Sequence, residues 1–266
     1  MDIVKIGAIL AVYNHLFMAR QTGIIKISGT IDGVNFYKTK AGHLSRKAGG
    51  GFTSHAIKTK PNMRRVRENG TEFGRCSKSK KHFNQALRPF LCIHKDGTLH
   101  GRMMRRFTGL KKLDTVSARG ERHVGQGIQT EEGKRLLRDF NFTPSCAVAS
   151  FLSGTTHYDA SNHTFTVTDF DVKQISFPTG ATHIAVTLGV LHFDFDTNRY
   201  ELQQSPPTYI DAQFTADTFS LQAPAPTLPG TAIAVIGVKF YQEVGGQFVV
   251  LRGKDTVGLL VVSVMD

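Results

Sequence analysis

The sequence predicts an α+β protein: a basic N-terminal module built from a β-hairpin and helices, followed by an all-β sandwich of immunoglobulin or fibronectin architecture. Three observations carry this prediction. The charge divides unevenly, because residues 18–138 hold 27 Lys and Arg against 8 Asp and Glu while residues 139–266 hold 5 against 12, within a net charge of +12. Residues 61–91 repeat apolar side chains at the period of a helix. After Asn141, Lys and Arg nearly vanish, and short runs rich in Val, Thr, Phe and Ile alternate with turn residues.

At 266 residues and 40% hydrophobic content the chain is long enough and apolar enough to bury a core. We divide it into residues 1–17, 18–140 and 141–266. The opening apolar run, Ile6 to Val12 behind a single Lys5, is too short and too weakly flanked for a signal peptide. Met18 begins a cleaner polar-then-strand pattern, so residues 1–17 are expected to be a mis-assigned start or a disordered lead-in. No apolar run approaches the roughly 18 residues of a membrane span. Cys76, Cys92 and Cys146 form no CxxC pair, which points to buried thiols in a reducing, cytoplasmic setting and to no disulfide framework.

In chain order, two β-rich runs, residues 24–31 and 34–39, flank Asp32-Gly33, a dipeptide suited to a type I′ hairpin turn. A second turn at residues 40–42 leads into residues 43–47. Gly49, Gly50 and Gly51 then read as a linker, since no Gly-Lys-Ser/Thr follows to make a phosphate cradle. Pro61 suits the first turn of the long helix. Its apolar side should carry Met63, Val66, Phe73, Cys76, Phe83, Leu87 and Leu91. Gly70 and Gly74 weaken it by roughly 1 kcal/mol each relative to Ala, and Pro89 should kink or end it.

Leu99, Met103, Phe107, Leu110 and Leu113 predict a second helix. Residues 116–128 read as a loop, and residues 131–138 as a short helix whose acids lead and whose bases trail, as the helix dipole favours. Strands are expected at 147–152, 164–168, 183–195, 200–204, 213–221, 231–244, 247–251 and 257–264.

The stretches MARQTGIIKISGTIDGVNFYKTKAGHLSRKAGGG, RVRENGTEFGRCSKSKKHFNQALRPFL and ARGERHVGQG together resemble an uncharacterised family of small Bacteroidota proteins. In that family a glycine-punctuated hairpin and an Arg-rich helix precede a β-sandwich. The resemblance covers about residues 18–145, supports Met18 as the start, and implies a fold without implying chemistry or functional residues.

The motifs that would indicate catalysis are weak. The eleven histidines have no metal-ligand spacing, and His183 and His192 should point to opposite faces of one strand. Asp194, Asp196 and Asn198 begin like a calcium loop, but Arg199 and Ser205 stand where that loop needs Gly and Glu. No Gly-x-Ser-x-Gly elbow occurs, and Cys76 reads as a packed thiol. Glu68, Glu72 and Glu121 sit among arginines, as surface or interface ion pairs do, rather than as shifted catalytic carboxylates. We therefore expect no enzyme, cofactor or metal.

What remains is the basic face: Arg64, Arg67, Arg75, Lys78, Lys81, Arg88, Arg102, Arg105, Arg106 and Lys112, with Lys111, Arg119 and Arg122 beside them. The expectation is a structural or adaptor protein whose basic module docks on an acidic protein surface or on another copy. The alternative is a nucleic-acid-binding protein whose basic helices hold phosphate backbones.

Overall fold

The structure, a computed structural model, describes residues 18–49, 53–92 and 95–265. Residues 1–17, with the question of the start, and Gly50 and Gly51 of the glycine run lie outside them. The chain forms two compact units, Met1–Met63 and Arg64–Asp266.

In the first unit β1 (Met18–Arg20), β2 (Gly29–Ile31), β3 (Val34–Thr39) and β4 (Gly42–Lys47) make one antiparallel sheet in the order β1-β4-β3-β2. Asp32 and Gly33 both adopt positive φ, 42° and 72°, so the expected type I′ turn forms. The strand expected over 24–31 is shorter, because only Gly29–Ile31 enter the ladder. A helix absent from the sequence reading, α1 (Ser54–Thr59), starts where the Thr53 hydroxyl accepts from the Ala56 amide. A 3-10 turn follows at Pro61–Met63.

The second unit opens with α2 (Arg64–Ala86), which runs unbroken through Gly70 and Gly74. α2 ends at Ala86, ahead of Pro89 as expected, and Pro89 itself sits in the first turn of α3 (Arg88–Leu91). Next come α4 (Leu99–Lys112), α5 (Val124–Ile128) and α6 (Glu131–Arg138). α5 replaces the end of the expected loop. Its Gly127 is the reason for the close packing: a Cβ there would lie 1.9 Å from the Leu110 carbonyl oxygen of α4.

The β-rich part holds three strands in one sheet and six in another. β5 (Thr155–Asp159), β6 (Thr164–Thr168) and β10 (Phe219–Gln222) form the smaller sheet in the order β10-β6-β5. β7 (His183–Phe193), β8 (Tyr200–Gln204), β9 (Thr208–Asp211), β11 (Thr231–Val244), β12 (Gln247–Val250) and β13 (Val257–Met265) form the larger, with β11 paired along the whole of β7. All pairs are antiparallel. The expected strand over 147–152 is instead a 3-10 turn, Val148–Phe151, and that over 213–221 shrinks to β10. β5 and β9 lie where no strand was expected.

The larger sheet is buried on both faces along its centre. Ile184, Val186, Leu188, Ile236 and Val238 share one core with Phe165, Val167, Phe219 and Leu221 of the smaller sheet. On the opposite face Leu191, Phe193, Ile233, Val235 and Leu259 share a second core with Phe83, Leu87, Phe90, Met103 and Phe107 of α2, α3 and α4. Strands covered on both sides read as nearly continuous apolar runs, which is how β7 and β11 read. The change of composition after Asn141 thus falls within a single core. The molecule is a mixed α+β fold with a doubly covered antiparallel sheet.

Candidate interaction surface

α2 and α4 pack antiparallel, since Glu72 meets Lys111, Cys76 meets Phe107 and Lys80 meets His100. The face of α2 turned to the core carries Glu72, Cys76, Ser79, Lys80, Phe83 and Ala86. This corrects the expected apolar side. Phe73, placed inward from the sequence, is 56% exposed, and Glu72 is fully buried.

Glu72 is not the surface ion pair that its sequence neighbours suggest. Its carboxylate accepts from Arg122 Nε at 2.8 Å and its terminal nitrogen at 3.0 Å, Lys111 Nζ at 2.5 Å and the Gly120 amide at 2.8 Å. The Arg122 hydrogen bonds, aided by Lys111 and Gly120 against the opposing effect of burial, hold its pKa down at about 2. Burial pushes the neighbouring Cys76 thiol up to about 11, so it is a packed, unreactive group. Cys146 is buried as well, whereas Cys92 is exposed, contrary to expectation.

Other carboxylates engage more of the expected basic face. Glu68 accepts from Arg64 at 2.8 Å, Arg65 at 3.2 Å and Arg119 at 3.1 Å. Arg75 pairs with Glu121 and also donates to its carbonyl oxygen at 2.7 Å. Arg102 donates to Asp96 at 2.5 Å and to the carbonyl oxygens of Asn141 and Phe142. Arg67 is half-buried. Lys78, Lys81, Arg88, Arg105, Arg106 and Lys112 have no carboxylate partner among the described residues.

The cations do not converge on one patch. Arg102, Arg105 and Arg106 line a depression of about 440 Å³ with Leu136, Phe140 and Pro144. The Arg102 and Arg106 guanidinium carbons lie 5.8 and 5.6 Å from the Phe140 ring centre, within cation–π range. Arg75 and Lys78 border a separate cleft of about 630 Å³, where His123 Nδ1 lies 3.2 Å from Asp196 Oδ1. Asp194 accepts from the amides of Asp196 and Thr197, so this acidic run closes a turn, as its spacing suggested.

Two participants escaped the sequence reading. Phe140 lies outside any periodic segment and carries no sequence signal of its role. Glu72 did have one, because it falls four residues before Cys76 on the same inward stripe. The chain matches no family model, no curated protein and no solved structure.

Proposed function

We propose that this chain is a non-enzymatic structural or adaptor protein of the cytoplasm whose helical face binds an acidic protein surface. The observation that supports this reading most is the depression around Phe140. There Arg105 and Arg106 have no carboxylate partner among the described residues, and the Phe140 ring lies against the Arg106 guanidinium. Such a site favours carboxylates, which arginine binds in a planar, bidentate manner. An exposed Cys92 thiol fits a reducing compartment. We read the two sheets that share a core as a sandwich of immunoglobulin or fibronectin architecture, offering edges and loops to further partners.

Binding to immobilised polyglutamate at low salt tests the proposal. Wild-type protein should be retained and released as salt rises, and Arg105→Glu with Arg106→Glu should weaken retention by about tenfold or more. Retention that ignores both changes would refute it. The nucleic-acid reading draws on Lys78, Lys81 and Arg88, exposed along α2 and α3. Single-stranded DNA binding lost on charge reversal at Arg64, Arg67 and Lys78, with polyglutamate ignored, would favour it instead.

A further inference from the structure

No described residue between Ala19 and Met63 is buried, although the segment folds into a four-stranded sheet. The loop from β1 to β2 is held by polar side chains: Gln21 Oε1 accepts from the Ile27 amide, its Nε2 donates to the Ile27 and Leu44 carbonyls, and Lys26 Nζ donates to the Gln21 and Gly23 carbonyls at 2.7 and 2.6 Å. Its apolar side chains face water: Ile24 is wholly exposed, Ile25 is 83% exposed and Ile27 is exposed, as is Ile31 in the adjoining β2. A small sheet without a covered apolar face has little to stabilise it alone. An ordered loop that presents isoleucines this way fits a surface that is covered by something else. Residues 18–63 carry 8 Lys and Arg against one Asp, so that cover should be apolar at its centre and acidic at its rim.

The second unit contains such a surface. The helix-side face of the larger sheet continues past Lys239, whose amine donates to the Pro89 carbonyl. It ends in an aromatic group: Tyr209 and Phe248 stack with ring centres 5.0 Å apart, and Tyr241 lies 5.8 Å from Tyr209. Phe248 is 45% exposed. The strands bearing these rings, residues 208–211 and 241–250, carry Asp211 and Glu243 and neither Lys nor Arg.

We infer that the isoleucine loop of one copy docks on the Tyr209–Tyr241–Phe248 face of a second copy. The two surfaces differ, so the contact is head-to-tail and propagates into a chain unless it closes into a ring. The inference goes beyond the acidic-surface reading and uses surfaces other than the arginine depression.

Sedimentation of the full chain over micromolar concentrations provides the test. Wild type should grow in mass with concentration, whereas Ile24→Ser with Ile25→Ser, and separately Phe248→Ser, should stay single chains. Mixed together, these two variants retain one intact surface each, so they should form a species of twice the chain mass and no larger. Circular dichroism checks each fold, and Tyr209→Ser replaces Phe248→Ser should the latter not fold. A wild type that remains a single chain, growth unaffected by both variants, or mixed variants that fail to pair would each overturn the inference. Arg105→Glu with Arg106→Glu should leave this assembly intact, which separates its failure from failure of the acidic-surface proposal.

Discussion

At the scale of single residues, Glu72 organises the contact between α2, α4 and the loop that bears Gly120 and Arg122. Its carboxylate compensates two cations that the packing has partly withdrawn from water. Replacing it with Gln removes the compensation and leaves Lys111 and Arg122 without a counter-charge, at a cost of roughly 3–5 kcal/mol in urea unfolding. The linked pH dependence has a definite sign. A carboxyl that titrates near 4.5 when unfolded and near 2 when folded contributes its full stability above pH 4.5 and loses it as pH falls toward 2. The magnitude is on the order of 3 kcal/mol for such a shift. Asp96 and Glu201 are also held near 2 and contribute with the same sign. Glu72→Gln should therefore reduce the slope of stability against pH between 4.5 and 2 without abolishing it. An unchanged slope would show that folding does not lower the pKa of Glu72.

At the scale of elements, glycine matters in opposite ways at two places. Gly70 and Gly74 lie in the interior of α2, and a Cβ at either would meet nothing within 4 Å. Alanine at each should stabilise the protein by roughly 0.4–1 kcal/mol through a less flexible unfolded chain and better helix propensity. Gly189 of β7 and Gly237 of β11 instead form the seat for the Phe90 ring of α3. A Cβ on Gly237 would lie 2.1 Å from a Phe90 ring carbon, and one on Gly189 2.7 Å. Gly237→Ala should cost about 1–3 kcal/mol by overpacking, and Gly237→Ala with Phe90→Leu should recover part of it. Differential scanning calorimetry of the four variants separates the two classes of glycine.

Element boundaries were legible where the local signals agreed. α6 begins at a Thr130 cap with two glutamates in its first turn and has arginines in its last, and it spans the expected residues. β6, β8 and β11 also match. Residues 147–152 are apolar enough for a strand, yet Val148 and Leu152 enter the core from a 3-10 turn that pairs with no neighbour. Sequence period alone does not reveal whether an edge is available to pair with. The short Val124–Ile128 helix was hidden by its two glycines, which are there for close contact: Gly127 against Leu110, and Gly125 beneath Asp196.

At the scale of the molecule, stability should be distributed unevenly. Amides in the centre of β7 and β11, covered on both faces, should exchange with solvent only on global unfolding. Those of residues 19–49, where no side chain is buried, should exchange orders of magnitude faster in the isolated single chain. Hydrogen-exchange mass spectrometry at low and high protein concentration reads this directly, and protection of the first unit that rises with concentration would accompany assembly.

Composition, capping and residue period act over a few neighbours, and from them the mixed α+β class, many of the elements and the division of charge were legible. Only the tertiary structure decided which side of α2 faces inward, that the helices and the β-rich part share a core, and which arginines stay unpaired. Those outcomes depend on groups far apart along the chain: Glu72 with Lys111 and Arg122, Phe90 with Gly189 and Gly237, Arg106 with Phe140. A helical period specifies which side chains share a face, but the element that covers that face is selected by contacts the period does not encode.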